Sequence, residues 1–392
     1  MAVRFVLTIA ALASSLANGQ TRVDLKDRAQ FDSVFEQISG DPLKCEVHTV
    51  EPSVDFAFRF ELRYTVECEI KQFGGVPGDL RAFLRVRPEA GEETVLGDAF
   101  AFPGAPEGFM VSDLSHVHAR LEFSGVLAAG YGQYHMELLV VDNRHRVFRH
   151  HWKAKAFPHG RENELNFSMQ PNTLAPLRSA PIPLRSGNNG GPLTVLINAA
   201  PLNPWSRKLR AWDRAFLLDS LSSLLRQLSY SSVRVVAFNL EQQQEIFRQD
   251  NFKEPDMRRL AQSLHNLELG SIAYNKLVHK FGWAELLLGL LKEETESGLR
   301  SNAVVFLGPS LRLEDKIPPE LLANQKPTPP LFCVTYYPEI GAEFSDSVQH
   351  LTTALKGKVF RIHSPSDLAQ NLEKLQREIE GDASARTMRA VK

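Results

Sequence analysis

Residues 193–205 read LTVLINAAPLNPW. An apolar, β-branched run through Ile197 breaks at Asn198, Ala199, Ala200, Pro201 and Leu202. A run this apolar suits a strand covered on both faces, as parallel strands are. In doubly wound sheets, ligands sit in the crevice beyond the carboxyl ends of the strands. A metal or phosphate at that point needs carboxylate oxygens or a glycine-rich cradle. This loop offers the neutral amide of Asn198 and little else.

Downstream, strands and helices alternate. Residues 233–239, 303–307, 331–336 and 358–362 read as further apolar strands. Ser206 is the expected cap of a helix carrying Leu209, Trp212, Phe216, Leu221, Leu224, Leu225 and Leu228. Residues 255–267 and 274–296 predict two more helices, and Ser364 with Pro365 opens the last one. The apolar centre of the third helix, 284–291, is too short to span a bilayer and suits a helix buried on a sheet. Residues 193–380 are therefore expected to form a Rossmann-like three-layer α/β domain, followed by a flexible tail over 381–392.

Upstream the period changes to two. Residues 55–70 alternate Phe56, Phe58, Phe60, Leu62, Tyr64 and Val66 against polar partners. Strands are expected at 79–87, 93–102, 117–123, 132–142 and 146–156, separated by Gly, Pro and Asp-Asn turn signals. Short strands at this spacing predict an immunoglobulin-like β-sandwich over 44–168. Residues 169–192, rich in Pro, Gly, Ser and Asn, read as a linker. Residues 20–43 form a lead segment with one helical patch at Phe31, Val34, Phe35 and Ile38. Residues 1–19 combine Arg4, a short apolar run and small residues before Gln20, the pattern of a secretory signal peptide.

At 392 residues, 43% hydrophobic and 23% charged with a net charge of -1, the composition is that of an ordinary globular protein. Bulk attraction to nucleic acid or anionic membranes is not expected. Export permits disulfides. Of three cysteines, Cys45 and Cys68 fall in successive strand-like segments and form a candidate pair, while Cys333 sits in an apolar run like a buried thiol.

With these elements in order, residues 193–380 resemble a von Willebrand factor A domain. They are more specifically similar to the divergent A-type domains of exported acidobacterial proteins, where a β-rich segment precedes the A domain. LTVLIN, VRVVAFN, AVVFLG and the ending GKVFRIHSPSDLAQNLEKL carry the resemblance. It implies a metal-ion-dependent adhesion site, in which an Asp, two alternate serines, a Thr and a second Asp gather on one Mg²⁺. Asn198, Ala200 and Leu202 stand at the first three positions. Ser271 is the one substitute for the Thr, and Gly308 with Pro309 replaces the second Asp. Magnesium asks for octahedral oxygen coordination with at least one or two carboxylates. The expectation is a degenerate site with no metal and no cofactor.

His116 and His118, and His145, His150 and His151, read as hairpin-rim histidines in preference to a zinc site. Glu293 and Glu294 read as a solvated helix end. No nucleophile elbow, phosphate loop or dinucleotide fingerprint is present. The sequence thus predicts a secreted or periplasmic, non-enzymatic protein that binds or scaffolds a protein partner. Its candidate contact rim is Asn198, Ala200, Leu202, Trp205, Ser271, Gly308 and Pro309. The alternative is an envelope hydrolase or carbohydrate-processing enzyme with a site on the sandwich.

Overall fold

The computed structural model describes residues 21–22, 35, 41–102, 104, 120–177, 190–203, 206, 208–269, 281–296, 301–310, 317–323, 329–337 and 346–390. The expected signal peptide, the patch residues Phe31, Val34 and Ile38, and His116, His118, Trp205 and Ser271 lie outside them. Two compact units result: Met1–Val54 with Arg59–Pro181, and Asp55–Phe58 with Ile182–Lys392.

The first unit holds β1 (Thr21–Arg22), β2 (Cys45–Thr49), β3 (Ser53–Val54), β4 (Phe60–Glu69), β5 (Gly78–Pro88), β6 (Thr94–Phe102), β7 (Arg120–Ala129), β8 (Gly132–Asp142), β9 (Val147–Ala156) and β10 (Leu174–Pro176). They form two antiparallel sheets in the orders β1-β6-β5-β8-β9 and β10-β7-β4-β2, with β3 beside β4. Alternation decides the faces: Phe60, Leu62, Tyr64, Val66 and Cys68 of β4 are buried, while Arg63, Thr65 and Glu67 are not. The buried faces meet through ring pairs such as Tyr64 with Trp152 (centroids 5.7 Å) and Phe100 with Phe123 (4.4 Å). Cys45 and Cys68, directly opposite each other in register, are disulfide-bonded.

Two sequence expectations shift here. Residues 55–58 do not extend β4. Phe58 has φ 58°, a left-handed conformation no strand accepts, and Asp55–Phe58 belongs to the second unit. There Phe56 meets Phe216 (4.9 Å) and Tyr336 (5.5 Å) edge-on, and its carbonyl accepts from Ser223 Oγ (2.6 Å). The stretch 169–192 is also not wholly linker, because β10 pairs with β7. Gly130 N donates to Thr173 O (3.0 Å), and a Cβ at Gly130 would stand 1.8 Å from the Gln170 carbonyl oxygen. Only glycine admits that approach. The adjoining Tyr134 hydroxyl is fully buried and donates back to Gly130 O (2.7 Å); burial pushes its pKa up.

The second unit runs β11 (Leu193–Asn198), α1 (Ala211–Gln227), β12 (Val233–Asn239), β13 (Gln244–Gln249), α2 (Asp256–His265), α3 (Gly282–Glu296), β14 (Ala303–Pro309), α4 (Pro319–Ala323), β15 (Leu331–Tyr336), α5 (Ser347–Ala354), β16 (Lys358–Ile362) and α6 (Pro365–Ala390). The six strands lie in the order β13-β12-β11-β14-β15-β16, parallel except for β13. β13 and α5 were not expected: QEIFRQ is too polar to announce a strand, and its pairing to β12 is an edge hairpin. Helix α6 continues to Ala390, through most of the stretch expected as a flexible tail. Leu196, Val236, Val304, Phe306 and Cys333 share a core with Trp283, Leu287 and Leu291 of α3 and Leu351 of α5. Burying a leucine or phenylalanine side chain is worth about 1.5–3 kcal/mol, so this layer is a main source of the unit's stability. Among the described residues no helix is long and apolar enough to cross a membrane.

At the amino end of the sheet, Glu294 departs from the solvated position expected for it. It is 3% exposed and accepts from Thr194 Oγ1 (2.9 Å), Ser301 Oγ (2.7 Å) and Arg234 Nη1 (2.9 Å). Its neighbour Glu293 stays exposed and accepts from Arg248 Nη1 (2.6 Å). A buried carboxylate is tolerated when its charge is paired and its lone pairs are filled. Glu294→Ala leaves Arg234 with Asp250 alone and is expected to cost about 3 kcal/mol in urea denaturation. Reducing Cys45–Cys68, across a sequence separation of 23, is expected to cost the first unit about 3 kcal/mol, read as a lower denaturation midpoint.

Candidate functional site

The strand order reverses between β11 and β14, so the switch-point crevice lies beyond Asn198 and Gly308. Across the carboxyl edge stand Phe238, Asn198, Gly308, Thr335 and Arg361: Asn198 pairs with Phe238, Gly308 with Thr335, and Thr335 with Arg361. A Cβ on Gly308 would sit 2.8 Å from Asn198 Cβ, so the two backbones close on each other. Asn198, Ala200, Leu202, Gly308 and Pro309 are all buried. The five described residues of the rim expected from the sequence are therefore interior. Among the described residues, Asn198 Oδ1 and Thr335 Oγ1 are buried without a hydrogen-bond partner.

Among the described residues the strand ends here do not fit magnesium. Asn198 supplies one neutral amide oxygen and Thr335 one hydroxyl, Ala200 and Leu202 are apolar, and the carboxylate bonded to this loop is already engaged. Asp213, 1% exposed, accepts from Leu202 N (2.8 Å) and Arg210 N (2.7 Å). That engagement also moves the helix start. α1 begins at Ala211, with Asp213 reaching back to the N-terminal amide as in a capping box. Ser206, the expected cap, instead donates to Lys208 O (2.8 Å). Asn239 Nδ2 donates to Ala199 O (2.7 Å), tying the loop to β12. The large apolar side chain left in water beside this loop is Trp212, 47% exposed on the first turn of α1.

The first unit carries two adjoining hollows of about 260 and 290 Å³ that share Met136, Trp152 and Lys153. Register explains the lining of the second: Arg85, Glu137 and His151 form one cross-strand row, and Arg87, His135 and Lys153 the next. Glu137 lies 3.6 Å from both Arg85 Nη1 and Arg87 Nη2, and Glu93 accepts from Arg87 Nε (2.7 Å). His135, Glu137 and the two arginines were not singled out in the sequence, where charges alternating on β5 and β8 are the available signal. His145 sits at the β8–β9 turn with φ 62°, and His150 and His151 point to opposite faces of β9. Among the described residues these three histidines enter no ligand cluster. Cys333 is a buried free thiol whose pKa burial pushes well up, with the Asp346 charge adding to the rise.

No known family profile matches this chain, and no curated protein does. Solved structures match weakly. The putative ApaA protein from Bordetella pertussis is 12% identical, covering 31% of this chain and 100% of its own, with a TM-score of 0.21. A glycosyl hydrolase family 2 member from Bacteroides cellulosilyticus is 11% identical over 80% of this chain and 37% of its own, at 0.22. The alkylpurine DNA glycosylase AlkC of Pseudomonas fluorescens is 13% identical over 32% of this chain and 33% of its own, at 0.19. Superpositions this poor carry no argument about fold or activity.

Removing the Asp213 carboxylate orphans two backbone amides. Asp213→Ala is expected to cost about 2 kcal/mol and to speed amide exchange at Leu202 and Arg210, read by hydrogen-exchange mass spectrometry.

Proposed function

We propose that this is an exported, non-enzymatic protein-binding or scaffolding protein, in which a metal-free von Willebrand A-type domain follows an immunoglobulin-like β-sandwich. The switch-point edge carries the proposal. It keeps the doubly wound strand order around β11 and β14 and, among the described residues, presents Asn198, Gly308 and Thr335 at the strand ends, while the Asp213 carboxylate beside the loop is engaged by backbone amides. The orders β2-β4-β7 and β6-β5-β8-β9 follow the A-B-E and C′-C-F-G arrangement of immunoglobulin-type sandwiches. The Tyr134 bond to Gly130 O has the form of a tyrosine corner. The Cys45–Cys68 bond favours an oxidising compartment, in line with export.

With the crevice residues interior, partner contact in the second unit shifts to the exposed surface beside it, centred on Trp212. Amphipathic aromatics are common interface anchors. The hydrolase reading draws on the second hollow, where His135 and His151 flank Glu137. Against it, the Glu137 carboxylate is already ion-paired with both Arg85 and Arg87.

Magnesium at millimolar concentration is expected to leave the melting temperature of the full chain unchanged. A magnesium-dependent rise that Asn198→Ala abolishes would overturn the metal-free reading. Trp212→Ala is expected to preserve stability within about 0.5 kcal/mol and to lower recovery of cross-linked partner from exported material. Equal recovery by both proteins would remove Trp212 from the contact surface.

A further inference from the structure

The outward face of the β10-β7-β4-β2 sheet in the first unit sets acidic side chains opposite one another. Glu46 of β2 lies directly opposite Glu67 of β4, which lies directly opposite Glu122 of β7. Like charges facing each other across strands are destabilising. Arg120 answers part of this, donating Nη1 to Glu46 Oε2 (3.0 Å) and to Glu67 Oε2. His48, two residues along β2 and on the same face as Glu46, brings Nε2 to 3.9 Å from Glu46 Oε2 and 3.8 Å from Glu67 Oε2. All three ligand atoms lie within 4.8 Å of one another.

We infer that Glu46, His48 and Glu67 form a zinc-binding site on the outer face of the first unit. An imidazole nitrogen and two carboxylate oxygens are zinc ligands. With bonds of about 2.0–2.2 Å, a tetrahedral zinc sets its ligands roughly 3.4 Å apart. The observed separations of 3.9 and 3.8 Å from His48 Nε2 exceed that spacing by about 0.5 Å, and zinc binding requires Arg120 to release the two carboxylates. Glu46 and His48 are more than half exposed, so the ion has a direct entry path. The register that opposes Glu46 to Glu67 is pinned one residue earlier by the Cys45–Cys68 bond. A slip of one residue would send His48 and Glu46 to the opposite face.

Arg120 makes the site distinctive, because its guanidinium already neutralises the two carboxylates that zinc would take. It acts as a built-in competitor. The sequence signal is Glu46-x-His48 on an alternating strand, which no short-motif search picks out. This inference concerns the first unit alone and stands or falls separately from the metal-free reading of the second.

The test is isothermal titration of Zn²⁺ into the tag-free, disulfide-intact full chain, with circular dichroism and melting to confirm that each variant folds. One zinc per chain is expected. His48→Ala and Glu67→Gln should each weaken binding at least tenfold. Arg120→Gln should tighten it severalfold, an effect of opposite sign that a general loss of structure cannot imitate. His150→Ala, on β9, should leave it unchanged. Absence of zinc binding in both the wild-type and Arg120→Gln chains would overturn the site, as would zinc binding that His48→Ala leaves intact.

Discussion

Every residue of β11 is buried, and the rest of the second unit follows from that constraint. A central parallel strand has two side-chain rows and can leave neither in water. One row, with Leu196 and its neighbours Val236 and Phe306, is covered by α3 and α5. The alternate row, Val195, Ile197, Val305 and Leu307, is equally buried on the side of α1, which contacts β14, α2 and α6. Chain connections must therefore cross the sheet at its two ends, and those ends hold the polar chemistry. The amino end is closed by Glu294, Arg234, Thr194 and Ser301. The carboxyl end is closed by the loop that Asp213 and Asn239 tie down.

That closure gives the carboxyl edge of the sheet its character. In an open α/β fold the switch point is a crevice because loops diverge from it. Here Asp213 spends its lone pairs on the Leu202 and Arg210 amides, so the loop after β11 folds inward and buries Ala200 and Leu202. Among the described residues, Asn198 Oδ1 and Thr335 Oγ1 are left at this edge as buried oxygens without a hydrogen bond. The first unit meets a different constraint. Its sheets each have one wet face, so charged residues accumulate in cross-strand rows, and hollows and ligand-like clusters arise there.

Periodicity made much of this architecture legible. The change from period two to continuous apolar runs separates antiparallel sheets from a mainly parallel one, and the strands at 132–142 and 331–336 match β8 and β15 residue for residue. Where local pattern and tertiary contact compete, the reading fails. Phe56 and Phe58 continue the alternation of β4, yet a positive φ at Phe58 ends the strand and their rings serve the second unit. Ser206 is a good cap by residue type, but Asp213 supplies the bond. Glu294 looks like any glutamate near a helix end until Arg234, 60 residues away, is placed against it.

The residues alone determined which strands are covered on both faces, that the loop after β11 lacks carboxylates, and that Cys45 and Cys68 fall in strand-like segments as a candidate pair. These are properties of composition and period, and period reports burial directly. Only the tertiary structure decided that Asn198, Ala200 and Leu202 are interior, that Trp212 remains outside, and that Glu46, His48 and Glu67 share one face with Arg120. Burial and convergence depend on register and on which distant backbone amides claim a carboxylate. Neither is encoded in the spacing of residues along the chain.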